Sequence, residues 1–320
     1  MVEAEIDRWF PREIEPEVLA KASRHLLLAG GKRLRPCLVL ASCEAVGGRS
    51  KDAIEAAAAL ELLHNFTLIH DDIMDRDKFR RNVKTVHVLW GEPIAIIAGD
   101  ALFAKVFEAL AANAGRLKLS SERTVELFDT ISRASFEICQ GQALDMLFEG
   151  RRNIKEAEYL NMIGSKTGAL LEASNKVGAL LGGGSPKEVK ALAEYGRLVG
   201  MAFQIRDDLL GVVGEQKKFG KPIGSDIREG KRTIVVVQAL KAASKEDRKK
   251  LLRAFGNKKA SWAELKRGIE VLKDSGALDY AAGKAHEFVS KAKSKLDILK
   301  DSEAKQFLLK LADFTVEREF

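Results

Sequence analysis

Hydrophobic residues recur at intervals of three and four positions along most of this chain, a spacing typical of helices with one buried face. Regular alternation of apolar and polar residues, which would indicate a strand, is not sustained over a strand's length. The β-branched run Val235–Val237 continues into the strong helix formers Gln238–Ala243, so we predict a helix there too. The pattern therefore predicts an all-α bundle with little or no sheet. The predicted helices with the clearest spacing are Ala53–Met74, Ser121–Glu149, Ile154–Leu181, Pro186–Leu210, Thr233–Ala243 and Ser261–Leu272.

Interruptions of this pattern do not divide the chain into parts. Glycines mark short breaks, but we find no fixed-period repeat, low-complexity tract or interdomain linker in the sequence. The 320 residues include 46% apolar and 31% charged positions, which is enough to form one large buried core. We therefore predict a single domain over residues 1–320.

The sequence gives no indication of insertion into a membrane. No stretch approaches ~20 uninterrupted apolar residues. The first residues, which include Glu3, Glu5 and Asp7, lack the basic and apolar regions of a signal peptide. We predict a cytoplasmic protein with no stable membrane insertion.

The formal net charge of +7 permits an anionic partner but does not identify one. Much of the excess lies in Lys245–Arg253 and Lys284–Lys300, where charged and apolar residues are interspersed as on the solvent side of a helix. No nucleic-acid recognition motif is visible in the sequence. We therefore predict no nucleic-acid partner.

Two aspartates stand four positions apart near the end of a predicted apolar helix. Asp71 and Asp75 would project from one face, ~6 Å apart along the axis. Carboxylates this close on the wall of a bundle repel each other unless cations neutralise them, and Mg²⁺ shared with substrate phosphates would do so. An exposed acidic helix end is the alternative interpretation, because the charged run Arg76–Lys78 follows.

A second pair of aspartates favours the metal-site interpretation. Gln204, Asp207 and Asp208 fall at positions i, i+3 and i+4, and so on a single helix face. Two such helices facing one another would form an acidic cage for several metal ions. Cations also flank both pairs, and a diphosphate that is bound and ionised requires both metal and cationic side chains. These cations are Lys32, Arg33, Arg35, Arg80, Arg81, Lys166, Lys221 and Lys231.

Between about Gly30 and Thr233 the chain resembles the trans-prenyltransferase, or polyprenyl diphosphate synthase, family. The resemblance implies an all-α, single-domain helical bundle of the isoprenoid synthase type with a central substrate cavity. It implies a Mg²⁺-dependent enzyme that joins isopentenyl diphosphate to an allylic diphosphate (dimethylallyl, geranyl or farnesyl). The similar segments, in order, are Gly30–Pro36, Leu68–Asp75 with Arg80–Arg81, Gly164–Gly168, Gln204–Gly211, and Phe219–Asp226 with Gly230–Thr233.

The resemblance also implies a role for each matching residue. Asp71, Asp75 and Asp207 would coordinate Mg²⁺, with three ions per active site when substrate is bound. Isopentenyl diphosphate would be held by Lys32, Arg35, His64 and Arg81. The allylic diphosphate would be surrounded by Arg80 and by the catalytic residues Lys166, Thr167, Gln204, Lys221 and Lys231.

The sequence departs from the family pattern in two places. Asn82 and Lys84 stand where glycine and proline are common after the paired arginines, which leaves the path of that loop open. Gly211 replaces the third aspartate of the second aspartate-rich segment, so metal binding there must rest on Asp207 and Asp208. Some functional family members share the second change.

Product length in this family is read just before the first aspartate. Phe66 lies five positions before Asp71 and Thr67 lies four, so one aromatic would block the growing chain and its neighbour would not. This resembles archaeal-type geranylgeranyl diphosphate synthases. Farnesyl diphosphate, or a mixture of the two products, is the alternative, and an ordinary core role for Phe66 remains open.

Two other classes of protein compete with this interpretation. A terpene cyclase would lack the Gly30–Pro36 segment and would usually carry a different metal motif in place of Asp207 and Asp208. A non-catalytic regulatory subunit with the same fold would be supported by the loss of one aspartate pair, and both pairs are present. The resemblance further implies a homodimer, and the apolar helix Ser121–Leu147 is a candidate for part of its interface.

Overall fold

The long segments without helix breakers form helices in the structure, a computed structural model that describes residues 1–11, 13–149, 151, 153–213 and 225–317. A π-helical turn, Gly164–Gly168, joins two helices directly, whereas each of the short 3₁₀ turns Ser50–Ala53 and Leu296–Ile298 adjoins a helix at one end. The helices are α1 (Val2–Trp9), α2 (Glu17–Leu28), α3 (Leu34–Ala45), α4 (Ile54–Met74), α5 (Val86–Trp90), α6 (Glu92–Leu117), α7 (Ser121–Glu149), α8 (Glu156–Ile163), α9 (Ala169–Leu181), α10 (Pro186–Val213), α11 (Ser225–Glu229), α12 (Ile234–Ala242), α13 (Lys245–Ala254), α14 (Trp262–Asp274), α15 (Ala277–Lys295) and α16 (Glu303–Glu317).

The all-α prediction is confirmed, and the predicted helices are present. The predicted helix Ile154–Leu181 differs in one respect, because the π turn divides it into α8 and α9. In the described part of the chain the sheet is limited to one antiparallel hairpin, β1 (Phe79–Arg80) and β2 (Val83–Lys84). No described helix has both the length and the apolar character needed to cross a membrane.

Local side-chain bonds set the starts of two helices. Ser261 Oγ accepts the Glu264 N–H at 3.3 Å while Glu264 Oε2 accepts the Ser261 N–H at 2.9 Å, a reciprocal capping box before α14. Ser244 Oγ accepts the Asp247 N–H at 3.1 Å before α13. Each cap satisfies an N–H group that the helix end leaves unpaired and stabilises the helix by ~1 kcal/mol. These boundaries therefore follow from the sequence nearby.

One compact unit comprises residues 1–132, 173–193 and 298–308. Within it α4 packs along α6, and the four small residues Ala56–Ala59 of α4 are fully buried. Asn113 of α6 fixes the start of α4, because its Oδ1 accepts the Ala56 N–H at 3.0 Å and its Nδ2 donates to Asp52 O at 2.8 Å. The packing holds α4 in place, and the last turn of α4 carries the first aspartates.

The other compact unit comprises residues 133–172, 194–297 and 309–320, and is described as far as residue 317. In it α12 packs on α15 and α13 packs on α14. Arg197 of α10 donates to Glu172 Oε2 at 2.7 Å and also to Glu137, so one guanidinium joins three helix segments. The single domain over residues 1–320 stays a prediction.

Candidate active site

The first aspartate pair lies at the C-terminal end of α4. Asp71 belongs to its last turn, and Asp75 caps the helix by donating its N–H to Asp71 O at 2.8 Å. The side chain of Asp71 is half-buried and that of Asp75 is exposed. Asp72 is instead 1% exposed, and its Oδ1 accepts from Arg80 Nε at 2.6 Å. Asp72 is thus occupied by a protein contact, whereas a ligand in solvent can reach Asp71 and Asp75.

Burial controls the protonation of Asp72. It raises the pKa of this carboxyl to about 6, although the guanidinium of Arg80 lowers it. Only Oδ1 is paired, and Oδ2 is buried without a hydrogen-bond partner. Asp72 therefore ties Arg80 to the aspartate-rich turn.

A tight hairpin turn presents the second of the paired arginines. Arg81 and Asn82 are the two central residues between β1 and β2, with φ of +52° and +64°. Positive φ at both positions is the geometry of a type I′ turn, in which asparagine is common. Lys84 pairs with Phe79 across the hairpin. The turn settles the loop path that Asn82 and Lys84 had left open.

Main-chain carbonyls hold the Arg81 side chain. Its Nη1 donates to Leu26 O at 2.7 Å and to Gly30 O, and it reaches Asn65 Oδ1 at 3.5 Å. A non-glycine residue with positive φ is strained and persists where its surroundings hold it, which is common at binding sites. The fixed guanidinium of Arg81 joins the hairpin to the loop that begins at Gly30.

Three guanidinium groups surround one buried carboxylate in this unit. Glu61 is 1% exposed, its Oε1 accepts from Arg33 Nη1 at 2.8 Å, and its Oε2 has no hydrogen-bond partner. Burial lowers the pKa of Arg35 to about 10 and also lowers that of Arg81, while the charge of Glu61 opposes both changes. All three arginines therefore stay protonated near neutral pH. Glu3 Oε1 also accepts from Arg33 Nε at 2.7 Å, so two carboxylates face the three guanidinium groups. The cluster keeps a net positive charge and suits an anion.

His64 lies within the same cluster and carries no charge at neutral pH. Burial, and then the guanidinium groups of Arg35 and Arg81, lower its pKa well below 6.5. A neutral imidazole can donate one hydrogen bond to an anion without adding charge. The structure thus places three of the residues predicted to hold isopentenyl diphosphate close together, and the fourth, Lys32, is exposed on the neighbouring loop.

Phe66 begins a row of aromatic side chains. Its ring centroid lies 4.7 Å from that of His70 and 4.9 Å from that of Phe103. Phe103 in turn contacts Phe107 at 5.1 Å, and Phe107 stacks on Phe128 at 6.4 Å. Thr67 is directed to its own helix, because its hydroxyl donates to His64 O at 2.8 Å. Sequence reasoning found the first ring of this row and missed the rest, which come from α6 and α7.

In the second unit the predicted pair Lys166 and Thr167 lies on the π turn. Single π turns inside α-helices are rare and occur often at functional sites. Two glycines contact this turn closely: a Cβ on Gly141 would lie 2.3 Å from Lys166 N, and a Cβ on Gly200 would lie 2.8 Å from the Gly168 Cα. Side chains at Gly141 and Gly200 would therefore displace the turn, which lies against the backbones of α7 and α10.

Lys166 forms an ion pair that the sequence did not predict. Its Nζ lies 2.7 Å from Asp145 Oδ2, and both side chains are about one quarter exposed. Asp145 stands four positions after Gly141 on α7, so both occupy one face of that helix. In the sequence, the occurrence of a glycine and an aspartate four positions apart in a long helix indicates such a contact. The contact holds the ammonium group of Lys166 next to α7.

A directed set of hydrogen bonds links the π turn to α10. Thr167 Oγ1 donates to Gln204 Oε1 at 2.9 Å, and Gln204 Nε2 donates to Asp208 Oδ1 at 3.0 Å. The hydroxyl of Tyr159, a residue that the sequence did not single out, donates to Asp208 Oδ2 at 2.6 Å. Asp208 is 9% exposed, whereas Asp207 beside it is half-buried. The two aspartates of this pair thus have different surroundings.

Two predicted cations remain, and the structure describes one of them. Lys231 is half-buried and its Nζ lies 3.6 Å from Glu229 Oε2. Lys221 lies outside the described residues, as does most of the Phe219–Asp226 segment.

The donors present fit a magnesium ion that is shared with substrate. Among the described residues no three His, Cys, Asp or Glu side chains are grouped so that they could hold an ion by themselves. Mg²⁺ is commonly held by one or two carboxylates, with water and substrate phosphate completing its six ligands. Asp71 and Asp75, one turn apart and accessible, match that ligand set in the first unit. An all-helical chain with these carboxylates and cations has the features of an isoprenoid-diphosphate enzyme.

Comparison with known proteins identifies the family. Residues 16–272 match the family model described as polyprenyl synthetase. The chain is 50% identical over 307 residues to a short chain isoprenyl diphosphate synthase of Methanothermobacter thermautotrophicus, covering 96% of this chain and 92% of that protein. It is 44% identical over 319 residues to the geranylgeranyl diphosphate synthase of Methanosarcina mazei, covering 100% and 95%. A geranylfarnesyl diphosphate synthase of Aeropyrum pernix is also 44% identical, over 95% and 96% of the two chains.

Solved structures agree with the sequence comparisons. The geranylgeranyl pyrophosphate synthetase of Pyrococcus horikoshii superposes with a TM-score of 0.92 at 45% identity, over 99% of this chain and 95% of that one. The geranylgeranyl pyrophosphate synthase of Corynebacterium glutamicum, crystallised with isoprenyl diphosphate and magnesium, gives a TM-score of 0.89 at 29% identity, over 99% and 97%. The chain belongs to the polyprenyl synthetase family and is a prenyltransferase.

Proposed function

We propose that this protein condenses isopentenyl diphosphate with allylic diphosphates and that its main product is geranylgeranyl diphosphate. The observation that carries the proposal is the positive cluster around Glu61 in the same unit as the accessible pair Asp71 and Asp75. A reaction between two diphosphates requires two anion sites of different kinds. The guanidinium cluster suits a diphosphate held by cations, and the aspartates suit a diphosphate held through metal.

One group of residues binds isopentenyl diphosphate, and another assists ionisation of the allylic diphosphate. Lys32, Arg35, neutral His64 and Arg81 hold isopentenyl diphosphate and keep its double bond in a fixed position. Asp71, Asp75 and Asp207 would hold Mg²⁺, three ions in all, and the bound metal would supply positive charge to the allylic diphosphate. Arg80, Lys166, Lys221 and Lys231 donate to the same departing group.

Carbon–carbon bond formation follows ionisation. The allylic C–O bond breaks and its electron pair leaves with the diphosphate, while the oxygen atoms of Thr167 and Gln204 stabilise the allylic cation. The isopentenyl double bond then supplies the electrons of the new C–C bond. The resulting cation loses a proton, and the released diphosphate accepts it, since none of the residues assigned to the site is a suitable general base.

Phe66 and the rings behind it support the assignment of product length. The row Phe66, Phe103, Phe107 and Phe128 is a continuous aromatic obstacle that starts one turn before Asp71. Relatives that make geranylgeranyl diphosphate and one that makes geranylfarnesyl diphosphate are both similar to this chain. A farnesyl product, or a mixture, is the other outcome that the experiment must distinguish.

The test is incubation of purified protein with labelled isopentenyl diphosphate, Mg²⁺ and each allylic diphosphate in turn. Products are dephosphorylated and separated by chromatography. A single twenty-carbon alcohol from all primers is the expected result. A fifteen-carbon product would contradict the chain length alone, and no product from any primer would contradict the reaction.

We also propose a homodimer that uses the exposed apolar side of α7. Val125, Phe136 and Leu147 are 68%, 66% and 66% exposed. Phe136 and Leu147 also line a groove of about 670 Å³ along α7, whose other walls include Leu144 and Asn161. Exposed apolar residues in a row along a helix are typical of protein interfaces. Sedimentation at micromolar concentration should give twice the chain mass, and Phe136→Asp should reduce the measured mass to that of one chain.

The cytoplasmic location of the protein stays a prediction.

A further inference from the structure

Tyr159 joins several of the segments assigned to diphosphate binding. Its side chain is 0% exposed, and its hydroxyl donates to Asp208 Oδ2 at 2.6 Å. The helix that carries Tyr159, α8, packs on α12, which begins at Ile234 directly after the Gly230–Thr233 segment. A buried phenol with a short hydrogen bond in a packed interior is held in one orientation. Tyr159 therefore fixes Asp208 relative to the start of α12.

Asp208 determines the direction of the hydrogen bonds beyond it. An ionised carboxylate can only accept, so the Gln204 amide turns its Nε2 toward Asp208 and its Oε1 away. Oε1 accepts the hydroxyl of Thr167, which uses the only hydroxyl hydrogen that Thr167 has. The Thr167 oxygen is left with lone pairs for any further partner. If Gln204 Oε1 did not accept from it, the Thr167 hydroxyl could point its hydrogen away from Gln204 instead.

We propose that Tyr159 is a positioning residue that acts through Asp208 to direct the oxygen atoms of Gln204 and Thr167 toward the allylic cation. The inference rests on the proposed function, because it is the ionised allylic group that needs electron-rich neighbours. Dipoles fixed before the reaction stabilise developing charge without having to reorganise. Asp208 is then an orienting group, and of the two aspartates only Asp207 serves the metal.

The first arm of the test compares Tyr159→Phe with a matched control. Tyr195 is also 0% exposed, and it lies nine positions before Gln204 on α10, ~14 Å along the helix axis. Tyr159→Phe should lower kcat about tenfold with KM for both substrates nearly unchanged, which is the pattern for an interaction made only in the transition state. Tyr195→Phe removes a buried hydroxyl of the same kind and should leave kcat unchanged. Equal kcat in the two variants would overturn the proposal.

The second arm separates orientation from metal binding. Asp208→Asn keeps the size of the side chain but can donate as well as accept, so the Gln204 amide loses its fixed direction. We expect kcat to fall about a hundredfold, as when one preorganised group is removed, while the Mg²⁺ concentration for half-maximal rate stays within about twofold. Asp207→Asn should raise that Mg²⁺ concentration. A similar rise for Asp208→Asn would show a metal ligand and overturn the proposal.

The third arm needs no turnover. The probes are an allylic diphosphate analogue with an ammonium group in place of the cationic carbon and its neutral, non-ionisable sulfur analogue. The wild-type protein should prefer the ammonium compound, and Tyr159→Phe should reduce that preference about tenfold while Tyr195→Phe keeps it. No preference in the wild type, or full preference in Tyr159→Phe, would overturn the positioning role. Failure of the proposed function is recognised separately, as the absence of prenyl product from every primer.

Discussion

Replacing Phe66 by alanine should lengthen the product. The ring of Phe66 is the first of the aromatic row, in contact with His70 at 4.7 Å and Phe103 at 4.9 Å. Its removal opens space next to α4, while Phe103 and Phe107 remain behind it and limit the added space. We therefore expect a shift from twenty to twenty-five carbons and only small amounts of longer chains.

The magnitude follows from the burial of one isoprene unit. Five more carbons gain up to ~4 kcal/mol when they find apolar surroundings, at ~0.8 kcal/mol per carbon group. Incomplete filling of the space left by the ring reduces this to ~2 kcal/mol, since a chain does not match the shape of a phenyl ring. That energy corresponds to about a thirtyfold change in the partition between further extension and release at twenty carbons.

The assay measures the ratio of twenty-five- to twenty-carbon alcohols from labelled isopentenyl diphosphate and farnesyl diphosphate. Phe307→Ala is the matched control, because Phe307 is 43% exposed, lies in the same unit and takes no part in the aromatic row. Circular dichroism should show that both variants are folded. An unchanged product ratio in a folded Phe66→Ala protein would refute the reasoning and assign Phe66 to the ordinary core.

Three further outcomes follow from the first unit. Asp71→Ala should reduce turnover by ~10³-fold or more with unchanged helical circular dichroism, because the proposed metal site would lose one carboxylate ligand; near-normal turnover would remove Asp71 from that site. Glu61→Ala should lower the free energy of unfolding by ~3 kcal/mol, because Arg33 loses a buried partner, and an unchanged urea midpoint would contradict this. The pKa of His64 in the folded protein lies below its unfolded value of ~6.5, so the unfolded chain binds more protons than the folded one. The free energy of unfolding of the wild type therefore falls as pH drops below ~6.5, by up to ~1.4 kcal/mol per pH unit. His64→Gln should lack that loss between pH 7.5 and 5.5 in urea titrations, and parallel curves for the two proteins would show that His64 does not titrate on unfolding.

Most helices could be predicted from the sequence because they depend on local spacing and local caps. The spacing in α4 and α10 shows which faces are apolar, and the capping box at Ser261 is visible in the sequence itself. The π turn inside Ile154–Leu181 could not be predicted in this way. It accompanies close contact with Gly141 and Gly200, which lie far from it along the chain.

The candidate site residues also fall into two groups, those that the local sequence predicts and those that depend on other contacts. Asp71 and Arg81 could be proposed as site residues because they stand in segments that resemble a known family. Tyr159, Asp145 and Glu61 could not, since each acts on a partner that is distant in sequence or that the spacing does not reveal. Glu61 lies in the same helix as the first aspartates, but its role depends on Arg33 and its neighbours from another segment. The roles of such polar residues can be assigned only when their hydrogen-bond partners are known.

The contact between Gly141, Gly200 and the π turn affects any attempt to transfer this site to another helical protein. A graft that moved only Gly164–Gly168 into a regular bundle would meet ordinary side chains on both neighbouring helices, at distances that no Cβ atom tolerates. The Lys-Thr segment and the two distant glycines therefore form one transferable module, although they are separate in sequence. For protein engineers, three short stretches on three helices are the smallest unit that can be exchanged between scaffolds or recombined between homologues.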